Sequence, residues 1–292
     1  MEKLVYLNGS LVPESEAKVS VFDRGFLYGD GLFETMRAYS GKIFRLERHL
    51  RRLFRSAGMI SLTLPRGEKE IGAAVYRTLQ ANELKEAYLR LTVSRGQGGR
   101  GLDIADSRGV LMVIVSKPLP LYPRSRYEEG IKAVVVKERR NESSTLSRIK
   151  SLNYLPGILA GLEARDKGAG EGLMLNSRGY LAEGTVSNIF LISDGEVVTP
   201  SLESGILPGI TREAVLELAP RQGLKIAEKE IELTELKEAE EAFLTNSLRE
   251  VVPLTRVEGQ PIGKGKPGKI TQRIAGAYAS LVKKETKENP WT

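Results

Sequence analysis

The sequence predicts an α+β protein of two domains, a smaller N-terminal α/β domain and a larger C-terminal domain with a strand-rich core and flanking helices. Three observations carry this. Short alternating runs closed by Gly-containing turns are interleaved with segments of helical period. A proline-rich stretch, Pro118-Leu119-Pro120-Leu121-Tyr122-Pro123, cannot continue a central strand and breaks the chain near its middle. The 292 residues, 41% of them hydrophobic, suffice for one large or two modest cores. The expected division is a small domain over 1–117, a linker over 118–126 and a large domain over 127–292.

Leu4 to Leu7, Asn8-Gly9 and Ser10 to Pro13 predict an opening hairpin, because Asn-Gly supplies the positive dihedrals of a type I′ turn. Leu32 to Tyr39 alternates in character, Ser40-Gly41 turns, and Lys42 to Arg45 is expected to return. Leucines and phenylalanine at helical spacing predict a helix over 46–58 closed by Gly58, then a second helix near 66–81 and strands near 86–94 and 109–116. Beyond the prolines, Ile131 to Lys137 is a β-branched run and Glu138 to Ser147 reads as a polar loop. That loop leads to Lys150 and a helix ending near Gly168. Strands are expected near 172–176, 180–193 and 196–199, a helix opening at Pro208-Gly209, strands near 225–231 and 241–245, and a terminal helix near 267–284.

Composition removes several chemistries. With no cysteine there is no disulfide, thiolate metal site or thiol nucleophile. The one histidine, His49, stands in a basic helical segment, with no second imidazole to share a metal; a surface or packing role is expected. The net charge of +7 raises nucleic-acid binding, but bases and acids are interleaved and no stacking aromatics accompany a basic tail, so no nucleic-acid partner is expected. No apolar run reaches membrane-spanning length and the first residues are too soon polar for a signal peptide, so a cytoplasmic protein without a membrane partner is expected. Abundant Lys, Arg and Glu without Cys would also suit a heat-stable protein.

The most informative pair is Lys150 followed by Glu183 about one helix and one strand later. A lysine able to form a Schiff base and a carboxylate able to keep a pyridine nitrogen protonated are the two functions that pyridoxal phosphate needs from a protein. Each has a plainer reading: Lys150 as a solvated charge, Glu183 as the partner of an arginine across the sheet. Leu207-Pro208-Gly209-Ile210-Thr211-Arg212 ends a loop at a helix N-terminus, which favours an anion, although Thr211 also suits a cap. Thr245-Asn246-Ser247 follows a buried run with hydroxyls suited to a phosphate or to capping. Arg90 within a strand and Arg100 on the Gly-rich segment 96–101 offer guanidinium forks for a substrate carboxylate. That segment is not a P-loop, since the Walker spacing is missing.

Read together, these segments resemble the fold-type IV pyridoxal phosphate family, which includes branched-chain and D-amino acid aminotransferases, (R)-amine transaminases and aminodeoxychorismate lyase. The likeness rests on Tyr28-Gly29-Asp30-Gly31-Leu32-Phe33-Glu34-Thr35, Phe44 to Leu53, Lys150 to Tyr154, Glu183 to Asn188, Gly209 to Arg212 and Thr245 to Ser247, in order along nearly the whole chain. It implies that Lys150 carries the Schiff base and Glu183 binds the pyridine nitrogen. It further implies that Arg52, Ile210, Thr211 and Ser247 surround the phosphate and that Tyr154 reaches the phenolic oxygen. Tyr28, Glu34, Tyr88, Arg90, Arg100 and Asn246 are then the expected substrate contacts. A homodimer is implied, with an amino donor and a 2-oxo acid as substrates.

Within that family the reaction divides two ways. Tyr88-Leu89-Arg90 resembles the carboxylate-binding strand of branched-chain aminotransferases, although those usually have glycine where Thr35 stands. D-amino acid aminotransferases have a histidine where Leu102 stands. Arg95 to Gly101 and Thr245-Asn246-Ser247 resemble aminodeoxychorismate lyase, with Arg100 and Asn246 addressing its substrate. The expectation is an aminotransferase for a small amino acid or amine, with the lyase as the alternative.

Overall fold

The computed structural model describes residues 2–287, which divide into two compact units. The first comprises the chain up to Pro120, the short segment Ile149–Asn153 and the chain from Lys283; the second comprises Leu121–Arg148 and Tyr154–Val282. The division therefore differs from one break at 118–126, because the chain returns to the first unit twice.

The first unit opens with the hairpin of β1 (Leu4–Leu7) and β2 (Ser10–Pro13), turned by Asn8 and Gly9 at φ of 48° and 112°. A short helix, α1 (Arg24–Tyr28), precedes β3 (Gly31–Tyr39) and the two-residue β4 (Lys42–Ile43). Helices α2 (Leu46–Met59) and α3 (Glu68–Ala81) follow, then β5 (Ala87–Ser94) and β6 (Leu111–Pro118). The strands form one sheet in the order β2-β1-β6-β5-β3-β4. Leu32, Met36 and Ala38 of β3 and Leu89, Leu91 and Val93 of β5 join a buried core with Leu46, Leu50 and Leu53 of α2. The strand period of two thus assigns one face to the helices and leaves Thr35, Arg37, Tyr88 and Arg90 on the other. The expected return strand over 42–45 stops at Ile43, because Arg45 takes φ of 52° at the start of α2.

The second unit contains α4 (Ser125–Glu128), β7 (Ile131–Arg140), α5 (Thr145–Arg148) and α6 (Leu155–Asp166). Strands β8 (Glu171–Asn176), β9 (Leu181–Gly184), β10 (Asn188–Ser193) and β11 (Glu196–Pro200) precede α7 (Ile210–Arg221). Then come β12 (Ile226–Lys229), α8 (Leu233–Glu238), β13 (Glu241–Asn246), β14 (Glu250–Val257) and β15 (Gln260–Pro261), and helix α9 (Lys269–Glu285) belongs to this unit as far as Val282. The sheet runs β12-β11-β10-β13-β14-β7-β8-β9, with β15 on β14.

Three expectations are corrected here. The polar loop at 138–147 is strand as far as Arg140 and then closes through α5. The single run 180–193 is two strands parted at Thr185–Ser187. Strand β14, absent from the sequence reading, lies inside the sheet in spite of Pro253. Pro253 pairs with Phe243 on one side, and pairing with β7 begins only at Leu254, so the missing N–H falls where β7 makes no demand on it.

The segment bearing Lys150 is itself laid against β3. Phe33 N–H donates to the Lys150 carbonyl (2.9 Å) and Leu152 N–H to the Gly31 carbonyl (3.0 Å), with a bridge at Leu32 and Ser151. Lys150 is therefore held to β3 by its backbone.

Candidate active site

In the first unit the site begins with a buried carboxylate. Glu34 is the one charged residue among the core-facing side chains of β3, and α2 presents His49 and Arg52, three apart on one helix face, toward it. Arg52 Nε donates to Glu34 Oε1 at 2.8 Å and Arg52 Nη2 to Oε2 at 2.6 Å, while His49 Nδ1 lies 2.7 Å from Oε2. Burial pushes the Glu34 carboxyl upward, but the charge and hydrogen bonds of Arg52, with help from His49, outweigh it and hold the pKa at about 2. Burial lowers His49 below its ordinary value against the pull of Glu34, with Arg52 and Lys150 adding to the lowering. His49 is thus neutral at pH 7 and its Nδ1–H donates to Glu34.

This arrangement corrects the role expected of Glu34. Its side chain is 1% exposed and both oxygens are bound by protein donors, so it holds Arg52 in place and has no oxygen turned to a substrate. The sole histidine, expected to pack or lie on the surface, is buried within this cluster.

A pH dependence of stability follows. Glu34 titrates near 4.5 when unfolded and about 2 when folded, so its contribution is complete above pH 4.5 and lost as pH falls toward 2; the difference corresponds to about 3 kcal/mol. His49 adds a loss as pH falls below 6.5, since the unfolded imidazole takes up a proton that the folded one refuses. Urea denaturation at stepped pH should show both declines. Glu34→Gln should flatten the acid limb and cost about 3–5 kcal/mol at pH 7, because Arg52 loses its buried counter-charge. An unchanged acid limb in that variant would refute the assignment.

On the opposite face of the sheet Phe33 links two cations. The Arg90 guanidinium lies 3.8 Å and the Lys150 ammonium 4.5 Å from the Phe33 ring centroid. Arg90 is cross-strand from Thr35, and Tyr88 is cross-strand from Arg37 on the same face. Lys150, Phe33 and Arg90 are therefore together, with Tyr88 along the same strand. Tyr28 and Arg100 are not in this group: Tyr28 is 43% exposed with Arg24 over its ring, and Arg100 is exposed on the loop after β5. Arg24 shapes that loop by donating to the carbonyls of Gly98, Gly101 and Asp103.

In the second unit Glu183 lies on β9, 7% exposed. Its Oε2 accepts from Leu207 N–H (3.0 Å) and Asn188 Nδ2 (3.3 Å), and its Oε1 lies 3.1 Å from Arg140 Nε. The arginine partner of the plainer reading is thus present and holds one carboxylate oxygen. Asn188 also donates to the Leu207 carbonyl, tying Glu183 to the loop before α7. Gly209 is required there because an added Cβ would stand 2.0 Å from Asn188 Oδ1. Gly209 supplies no side-chain cap to α7, whose first turn holds buried Ile210 and Thr211. Tyr154 caps α6 without a side-chain bond, and Gly157 leaves room for its ring, an added Cβ there lying 3.3 Å from Cε1.

Asn246 and Ser247 close β13. Asn246 Oδ1 accepts from Leu248 N–H (3.0 Å) and Arg249 N–H (2.8 Å), so this oxygen shapes its own turn. Sequence reasoning passed over Arg140, hidden in a supposed loop, and gave no separate role to Phe33 and Asn188, although their motifs were quoted.

The amino-transferase class IV family profile matches residues 31–257. The chain belongs to the class IV aminotransferases. It is 36% identical over 290 residues to the branched-chain-amino-acid aminotransferase of Pseudomonas aeruginosa, covering 97% of this chain and 94% of that one. Among solved structures it is similar to a branched-chain aminotransferase of Thermoproteus uzoniensis with norvaline (TM-score 0.91, 37% identity, 100% and 98% of the two chains). It also resembles another branched-chain amino acid aminotransferase, solved with pyridoxamine 5′-phosphate (TM-score 0.92, 29% identity, 99% and 96% covered). A 4-amino-4-deoxychorismate lyase of Pseudomonas aeruginosa is similar at TM-score 0.83 and 31% identity, over 94% and 97% of the chains.

This class IV aminotransferase is a fold-type IV enzyme whose cofactor is pyridoxal 5′-phosphate. Each unit taken by itself offers groups of the kind that cofactor needs: the first a primary amine at Lys150 and the guanidinium of Arg52, the second a carboxylate fixed at Glu183 and the uncapped start of α7.

Proposed function

We propose that this aminotransferase moves the amino group of a branched-chain or similarly small amino donor to a 2-oxo acid. The observation that carries the reading is the meeting of Lys150 and Arg90 at the ring of Phe33, which sets an amine and a carboxylate-binding fork beside an apolar wall. The branched-chain names of its relatives support it.

Bound pyridoxal phosphate supplies an electron sink for the substrate Cα and a carrier for the amino group. Lys150 holds the cofactor between turnovers and then moves the Cα proton with its freed amine. The Glu183 carboxylate holds a proton on the pyridine nitrogen. Arg52, Ile210, Thr211 and Ser247 anchor the phosphate, Tyr154 orients the phenolic oxygen, and Arg90 with Tyr88 binds the substrate carboxylate. Tyr28 and Arg100 are kept as substrate contacts through a second subunit. Exposed apolar residues support a homodimer: Phe22 and Phe26 are 68% and 72% exposed, and Leu155 on α6 is 61% exposed. We place the enzyme in the cytoplasm; among the described residues no helix is long and apolar enough to cross a membrane.

The test is the visible spectrum of the purified protein with pyridoxal phosphate before and after L-leucine, L-glutamate, D-alanine or (R)-1-phenylethylamine. Conversion to the pyridoxamine form by L-leucine, reversed by a 2-oxo acid, is expected. No conversion by any donor, with pyruvate released from aminodeoxychorismate, would transfer the reading to the lyase.

A further inference from the structure

A second buried carboxylate lies in the cofactor-bearing part of the second unit without a role in the chemistry above. Glu171 opens β8 with its side chain 1% exposed. It accepts from Gly172 N–H (3.2 Å), Thr185 N–H (3.0 Å), the Thr185 hydroxyl, the Ser187 hydroxyl (3.2 Å) and Arg249 Nη1 (3.3 Å). Thr185 and Ser187 belong to the turn joining Glu183 to Asn188, and Arg249 to the turn that follows Asn246 and Ser247. Packing is tight at the first turn, where a Cβ added to Gly184 would stand 2.3 Å from Ser187 Oγ and 3.2 Å from the Glu171 carboxyl carbon.

Arg249 is held from outside as well. Its guanidinium lies 5.8 Å from the Tyr122 ring centroid, and its carbonyl accepts from the Tyr127 hydroxyl at 3.2 Å. A small cavity lined by Ser187, Thr245, Asn246 and Arg249 lies alongside. The hydrogen bonds and charge of Glu171 tie the two turns together.

We infer that Glu171, with Arg249 as its counter-charge, is a positioning residue that sets the turn orienting Glu183 against the turn bearing Ser247. The inference rests on the cofactor roles proposed for Glu183 and Ser247. Glu171 acts through Thr185, Ser187 and Arg249. A carboxylate is needed because every neighbour is a donor, and a glutamine of equal shape would point its own N–H groups at some of them.

The test compares wild type, Glu171→Gln, Arg249→Met and Arg249→Lys as holoenzymes, reading the Kd for pyridoxal phosphate, kcat, KM and Tm. Glu171→Gln is expected to raise Kd and lower kcat about tenfold each, with KM for the amino donor within about threefold. Arg249→Met should raise Kd about threefold, and Arg249→Lys should recover part of that loss. Wild-type Kd and kcat in both Glu171→Gln and Arg249→Met, however far Tm falls, would reduce Glu171 to a structural residue and overturn the inference. If Glu171→Gln does not fold, the two Arg249 variants decide in the same way. A wild-type chain that takes up no pyridoxal phosphate overturns the cofactor roles and this inference together, whereas normal uptake with unaffected variants sinks the inference alone.

Discussion

Lys150→Ala is expected to lower turnover by at least about 10⁴-fold and to abolish the borohydride-trappable link to pyridoxal phosphate. Both functions assigned to this residue need a primary amine: covalent attachment of the cofactor, and transfer of the substrate Cα proton, a step for which a positioned acid–base group is worth up to about 10⁴-fold. The fold should survive, because the segment is held by its backbone through Phe33 N–H and the Gly31 carbonyl, and no main-chain bond is lost with the side chain. A thermal melt near that of wild type, together with lost turnover, would separate chemistry from folding. Partial rescue by a small alkylamine is expected, since it restores a base where the side chain ended. A variant that turned over normally would remove Lys150 from the mechanism.

Glu183→Gln should retain the cofactor yet react about 10²–10³-fold more slowly, in the range found when one fixed charge-stabilising group is withdrawn from a transition state. The amide keeps the shape and one acceptor oxygen for Leu207 N–H, but it no longer offers an anion to hold the pyridine nitrogen protonated. It also leaves Arg140 without its partner at 3.1 Å, so a loss of stability accompanies the loss of rate. Measuring kcat at cofactor saturation separates the two, because occupancy is then equal in both proteins. An unchanged kcat would assign Glu183 to a purely structural pair with Arg140.

These variants test residues that were legible at different levels. The first unit could be read almost element by element, because β3, β5 and α2 each carry their own period and their turns have distinctive chemistry, as at Asn8-Gly9 and Ser40-Gly41. The second unit was harder. β10 is buried nearly throughout, so its sequence shows an apolar run without alternation, and the break at Thr185–Ser187 leaves no periodic trace. β14 was missed because Pro253 argues against a central strand unless the missing donor's neighbour is known.

The candidate site divides in the same way. The amino-acid sequence by itself determined the two-domain α+β class, the absence of thiol chemistry, and the identities and order of Lys150, Glu183, Thr211 and Ser247, since residue type limits what chemistry each can do. Only the tertiary structure decided what holds them. Glu34 proved to be the anchor of Arg52, and Arg140 and Asn188 the supports of Glu183. Hydrogen bonds and ion pairs act over about 3 Å, and chain folding brings to that range residues far apart in sequence, a proximity to which local pattern is blind.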